Sequence, residues 1–374
     1  MSYQKKILTA CVLVFCVGFL LYLSNVNNPL FWDDDDWIVK NVVVHEINWN
    51  YIKFWFTNNT LAGIGLSSNY YRPFLFFTFA LNYIFSGTNP ISYHIVSNLI
   101  HLVNAILIFY LLKKGTDNLR GEGEKTFPLA AFLTALIFAV HPLQTEAVSY
   151  ISGRGDPLSV MFMLLALLFF IRAEQKNSGW FSWQKITSLI SLALVLLSRE
   201  TAIIFPVLVV IWSISFLGKG GFIKSLKASL LKAWPYFGLV MIYGILRLTV
   251  LNFENTLNFY AQANIYSEHL YVRVFTFLRV LLTYLKLLII PTGLHMERTM
   301  TVYTSLFQGP VFLGFSLVLT LVFWLFFSYR KAKKSGFENR ALSNRFKVWF
   351  LGAGIFFTAL GPVSGITPIN ALIY

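Results

Sequence analysis

Charge is scarce in this chain. Only 12% of its 374 residues are Asp, Glu, Lys or Arg, against about 25% in soluble globular proteins, and that deficit excludes an ordinary water-facing surface. Cysteine is nearly missing as well: Cys11 and Cys16 are the two present, both inside the first apolar run. No disulfide framework can form there, and the pair carries no information about compartment. The chain also lacks low-complexity tracts and internal repeats. Acid is scarcer than base, 16 residues against 30, for a net charge of +14.

What fills the chain is hydrophobic residue, 56% in all, with 17% aromatic. Apolar runs of about 17 to 25 residues can cross the hydrocarbon as helices, and they occur at 7–23, 91–112, 127–142, 157–173, 180–198, 200–217, 233–250, 271–290, 310–328 and 347–366. Only helices or closed barrels satisfy every backbone group in lipid. The composition therefore predicts an all-α integral membrane protein, a multi-span helix bundle.

Lys5 and Lys6 precede the first run, and no small-residue cleavage site follows it, which favours a retained signal anchor over a removed signal peptide. With the N-terminus in the cytoplasm, the basic segments 113–126, 172–185, 219–232 and 329–347, together with Lys5 and Lys6, hold 20 of the 30 Lys and Arg and 5 of the 16 acids. Positive residues collect on the cytoplasmic side. The net charge is thus a record of topology, nucleic acid is not an expected partner, and the long stretch 24–90 lies outside. A hairpin turning near Arg199 and Glu200 keeps this count even. The 271–290 run carries Arg273, Arg279 and Lys286 and reads as interfacial or re-entrant, with a full span as the alternative.

Within 24–90, "HEINWNYIKFWF" and "YYRPFLFFTFALNYIFSG" are aromatic-rich amphipathic pieces suited to lying in the membrane interface. The same stretch opens on "FWDDDDWIVKN". A solvated surface run is the common meaning of clustered charge and suits Asp35 and Asp36. Asp33 and Asp34 are flanked by Phe31, Trp32 and Trp37 near the membrane surface, where desolvation raises a carboxyl's pKa and fits it to act as a base. Close carboxylates would also suit a divalent cation.

Arg72, Arg154 and Arg199 stand at outer helix ends in "YYRP", "SGRGD" and "SRET". They either snorkel to headgroups or grip a lipid phosphate through bidentate guanidinium pairs. His94, Asn98 and His101 share one helix face, which favours interhelical hydrogen bonds over a proton relay. His141, Glu146 and Asp156 share one outer loop without zinc-ligand spacing. Carboxylates, arginines and aromatics such as Tyr71 gathered at an outer rim suit chemistry on a lipid-linked phosphate, whereas a transporter or flippase of lipid-linked sugars would need broken helices with polar residues at the midplane.

In order, "FWDDDDWIVKN", "YYRPFLFFTFALNYIFSGTNPISYHIVSNLIHLVNAILIFYLL", "HPLQTEAVSYISGRGDPLSVMFMLLALLFF" and "LLSRETAIIFPVLVVIW" resemble the transmembrane and tetratricopeptide-repeat-containing O-mannosyltransferases and their bacterial relatives, of the GT-C glycosyltransferase superfamily. The resemblance implies a GT-C bundle over 1–374 whose first outer loop carries the catalytic acidic pair. It further implies an inverting transfer of sugar from a polyprenyl-phosphate donor, a co-substrate and not a cofactor, to a protein or glycan acceptor outside the membrane. That would be the cytoplasmic membrane if the source is bacterial. It maps the pair onto Asp33 and Asp34, with Ile38 and Asn41 in register. The resemblance places a further loop on Arg154 and Asp156, a basic-acidic pair on Arg199 and Glu200, and a further acid on Glu297; Arg72, His141, Glu146 and Tyr71 are expected beside them as donor contacts. In that family the chain continues past "INALIY" into outer helical repeats, which residues 1–374 do not contain.

Overall fold

The computed structural model describes residues 2–120, 126–217, 222–254, 256–257, 259–260, 262–296, 298, 301–335 and 340–367. Its regular elements are helical: α1 (Tyr3–Tyr22), α2 (Trp49–Thr57), α3 (Pro73–Ser86), α4 (Pro90–Arg120), α5 (Leu129–Val140), α6 (Thr145–Ser149), α7 (Gly155–Gln175), α8 (Trp183–Leu196), α9 (Phe205–Trp212), α10 (Phe222–Leu248), α11 (Ile265–Glu268), α12 (Leu270–Ile289), α13 (Gly309–Lys334) and α14 (Arg340–Leu360), joined by short 3-10 and π turns.

Seven helical stretches among the described residues are long and apolar enough to cross a membrane: Tyr3–Asn25, Pro90–Leu119, Ser152–Gln175, Glu200–Leu217, Phe222–Leu248, Gly309–Lys334 and Leu342–Val363. They coincide with the predicted runs near 7, 91, 157, 200, 233, 310 and 347. The protein is an all-α, multi-span membrane protein.

Three runs behave differently from a plain span. The 127–142 run is α5 followed by a 50° bend into Pro142–Ser149. The 180–198 run yields α8, whose 14 residues extend about 21 Å, short of a hydrocarbon core of about 30 Å. The chain then breaks at Leu197–Arg199 and resumes in a 3-10 turn from Glu200. α12 is not among the seven, because its three cations interrupt the apolar surface.

The residues divide into two compact units, one of residues 1–205 and 235–256 and the other of 206–234 and 257–374. In the first, α1, α4 and α5 meet through Ala10, Ala105, Ala131, Ala135 and Ala139. Small residues at helical spacing let backbones approach closely, which drives association where lipid supplies no hydrophobic force. Polar bonds fix the register: Asn98 donates to Tyr22 O at 3.1 Å and to Asn25 Oδ1 at 3.0 Å, and His94 and His101 bond to Asn28 O and Ala139 O.

The 24–90 segment is ordered by a core it shares with α4 and the 151–158 segment. Trp37, Ile38, Val43, Val44 and Trp55 pack onto Leu75, Phe76, Phe79, Tyr93, Ile151 and Leu158, and the Trp55 indole donates to Val43 O at 2.9 Å. Asn41 is buried beneath Gly63, where a Cβ would collide with the Asn41 side-chain oxygen. In the second unit, Arg273 of α12 ties the helix to its flanking segments, donating to Ser267 O of α11 at 2.6 Å and to Ile366 O at 2.8 Å. Thr276 also accepts from Tyr303 N at 3.0 Å.

Candidate active site

The first unit gathers the acidic run, the 141–156 segment and the 197–200 break. Trp32 takes a left-handed backbone, φ 55°, rare for a bulky residue. Its ring and that of Phe31 lie 6.4 and 5.2 Å from the Tyr150 ring. The turn separates the fates of the four acids. Asp34 is completely buried. One of its oxygens accepts from the Ser152 backbone N at 2.8 Å and the Ser152 hydroxyl at 2.6 Å, the other from Phe31 N at 3.3 Å. Burial raises its pKa from the ordinary carboxyl value, and the Ser152 bonds oppose that rise.

Asp33 is only half-buried and lies beside the Tyr150 hydroxyl. Burial, with Asp33 adding to it, pushes that phenol upward. Asp35 and Asp36 turn the other way and hold Lys40 at 3.3 and 2.9 Å. Among the described residues no three His, Cys, Asp or Glu side chains stand together as a metal cluster.

The three arginines also separate. Arg154 is fully buried and donates to Ser97 Oγ at 3.1 Å, Asn82 Oδ1 at 2.7 Å and Tyr93 O at 2.9 Å, with longer bonds to Thr78. The Phe79 and Tyr93 rings flank its guanidinium. These partners engage all three guanidinium nitrogens, so the fully buried Arg154 ties α3 and α4 to the turn before α7 and does not stand open as the expected phosphate grip.

Arg199 meets Asp156 at 2.6 Å with its side chain 27% exposed. Burial pulls the guanidinium below the ordinary arginine value and Asp156 opposes the shift. Arg72 meets Glu200 at 3.3 Å and stacks 4.4 Å over the Tyr70 ring. Glu200 also accepts from Tyr71 N at 2.9 Å, and Phe74 N donates to Leu197 O. The start of α3 is thereby pinned to the break after α8.

Glu146 is exposed on α6 and feels the charges of Asp156 and Arg199. His141 accepts from Leu143 N through Nδ1 at 3.2 Å, capping the turn at the α5 bend. Tyr71 is buried, its hydroxyl bonded to Phe56 O at 3.2 Å, and burial pushes its pKa up to about 12. Its side chain packs inward. Glu297 lies outside the described residues. Ser152 and Tyr150, which the sequence did not single out, both join the acidic run to the 141–156 segment.

Chemically, the arrangement offers one half-exposed carboxylate beside a locked neighbour, and two arginines each paired to a carboxylate, Arg72 also stacked on Tyr70. Residues 72–251 match the family described as dolichyl-phosphate-mannose-protein mannosyltransferase. The chain is 38% identical to a protein O-mannosyl-transferase, tmtc2, of Xenopus laevis over 42% of its length and 18% of the relative's. It is 34% identical to TMTC2 of Mus musculus over 44% of its length and 20% of that protein's. With TMTC1 of Homo sapiens the values are 37% identity, 38% and 16%. The matched part therefore spans about a fifth of the length of these curated relatives. No solved structure matches the chain.

Proposed function

We infer that the chain is a membrane glycosyltransferase that moves a sugar, mannose by likeness to the O-mannosyl-transferases, from a polyprenyl-phosphate donor to a hydroxyl of a protein or glycan on the extracytoplasmic side. The observation that carries this reading is the division of labour within the acidic pair. Asp34 spends its oxygens on Ser152 and Phe31, leaving Asp33 as the half-exposed base.

In the proposed step the Asp33 carboxylate takes the proton of the acceptor hydroxyl as that oxygen attacks the anomeric carbon. The new C–O bond forms as the bond from the anomeric carbon to the phosphate oxygen breaks, and the configuration inverts. Charge develops on the departing phosphate, and preorganised donors contribute most where charge develops. Arg199 and Arg72, already held by Asp156 and Glu200, are the donors assigned to it. Arg154, Asp34, Ser152 and Tyr71 are positioning residues in this scheme.

The test is transfer from labelled polyprenyl-phosphate mannose by purified protein. Asp33→Asn is expected to lower turnover by about 100-fold or more, in the range of a lost general base, with folding intact. Release of polyprenyl phosphate at the wild-type rate from Asp33→Asn would overturn the assignment. Movement of the intact lipid-linked sugar across vesicles without bond cleavage would favour a flippase.

A further inference from the structure

The second unit contains a basic cavity that the proposed chemistry does not use. It has a volume of about 540 Å³ and is lined by Arg279, Thr283 and Lys286 of α12, by Thr292 and Arg298 of the following loop, and by the start of α13. Positions 279, 283 and 286 lie on one face of α12, and Leu282 and Leu313 fill the wall between them. No carboxylate lines the cavity among the described residues. Arg279 donates to Thr283 Oγ1 at 2.7 Å and stands beside the Tyr303 hydroxyl. Arg273, two turns earlier, is consumed by backbone carbonyls. The cations of α12 thus divide into one that ties the fold and two that face an opening.

Depth specifies the ligand further. Gly309 and Pro310, at the cavity rim, begin a 26-residue apolar span, so the cavity lies at the boundary between water and hydrocarbon. Farther along α13, Leu317, Val318 and Leu321 line a second cavity of about 250 Å³, with Leu281 and Leu285 of α12 and Trp349, Phe356 and Phe357 of α14, and every residue lining it is apolar. Leu313 and Leu317 are one turn apart, roughly 6 Å of helix rise. On α12, however, Leu281 and Leu285 stand on the face opposite Arg279, Thr283 and Lys286, so the apolar cavity is separate from the basic one, whose own apolar wall is Leu282, Leu287 and Leu313.

We propose that α12 and the start of α13 form a binding site for a membrane lipid with a phosphate headgroup, the phosphate held by Arg279, Lys286 and Arg298 and the chain leaving past Leu282, Leu287 and Leu313. Basic pockets between membrane helices are suited to anionic headgroups, and guanidinium with ammonium supplies charge-assisted bonds to phosphate oxygens. An isoprenoid phosphate and a phosphatidic acid share this chemistry. The proposal stands apart from the role of Asp33, because its readout is binding and not turnover.

The full chain, delipidated in neutral detergent, is titrated with phosphatidic acid, farnesyl phosphate, phosphatidylcholine and inorganic phosphate, and adducts are counted by native mass spectrometry. At least one of the two phosphate lipids is expected to bind saturably. The Arg279→Gln/Lys286→Gln double variant should weaken it by about tenfold or more, while Arg279→Lys/Lys286→Arg retains most of it. Preference between the two lipids identifies which source fills the site. Undiminished binding by the glutamine variant, equal binding of phosphatidylcholine, or inorganic phosphate binding as tightly as the lipids would each overturn the proposal. So would loss of binding in the charge-preserving variant equal to that in the glutamine variant.

Discussion

Asp34 and Ser152, 118 positions apart, are joined twice, once through the serine backbone and once through its hydroxyl, at 2.8 and 2.6 Å. This pair seats the acidic turn on the segment that carries Tyr150 and leads into α7.

Its removal should be structural first. Ser152→Ala leaves a buried carboxylate oxygen short of one partner, a loss of about 1–3 kcal/mol. The expected result is a lower unfolding midpoint in detergent and reduced turnover together. Asp33→Asn should lower turnover alone, so paired thermal and transfer measurements separate the two aspartates.

Asp34 also makes a pH prediction. Its folded pKa lies above the unfolded value because burial outweighs the Ser152 bonds. The folded state then holds a proton that the unfolded state releases, so this contribution to stability is full below the ordinary carboxyl pKa of 3.8 and is lost as pH rises through the folded value. Asp34→Asn cannot titrate. The stability difference, wild type minus variant, should fall as pH increases from about 4 upward, and a difference independent of pH would contradict the raised value.

Arg154 should tolerate no replacement. Arg154→Met leaves Asn82, Ser97 and the Tyr93 carbonyl without their donor, a loss of about 3–5 kcal/mol by analogy with one-sided removal of a buried charged partner. Arg154→Lys should recover only part, since one ammonium cannot span partners on α3 and α4. Folded yield and thermal unfolding are the readouts, and near-wild-type stability of Arg154→Lys would refute the fork geometry.

Gly63→Ala is expected to lower stability by about 1–3 kcal/mol through overpacking, since the added methyl meets the Asn41 oxygen. Asn41→Ala in the same chain should relieve that part of the loss, which a double-mutant cycle detects.

Much of the architecture was legible because membrane helices announce themselves by length and hydropathy. The break at Arg199 and Glu200 could be placed from charge balance, and the face shared by His94, Asn98 and His101 from helical spacing. Site roles were less legible, since partners distant in sequence decide them. "SGRGD" reads as an exposed outer loop, yet the 3-10 turn at Ser152–Arg154 sends Arg154 inward and leaves Asp156 outward to meet Arg199. Tyr71 sits beside Arg72 in sequence but bonds to Phe56 O. No local pattern distinguished Asp33 from Asp34, because the difference lies in Ser152. The shortness of α8 was hidden by an apolar run that continues past the helix end.

The left-handed backbone of Trp32 gives the acidic turn a mechanical character. A bulky residue at φ 55° holds strain of roughly 1–3 kcal/mol, and the restraints opposing it are the two rings on Tyr150 and the clasp at Ser152. The Ser152 clasp and the Tyr150 ring contacts therefore hold Trp32, with Asp33 and Asp34 directly after it, in one strained turn.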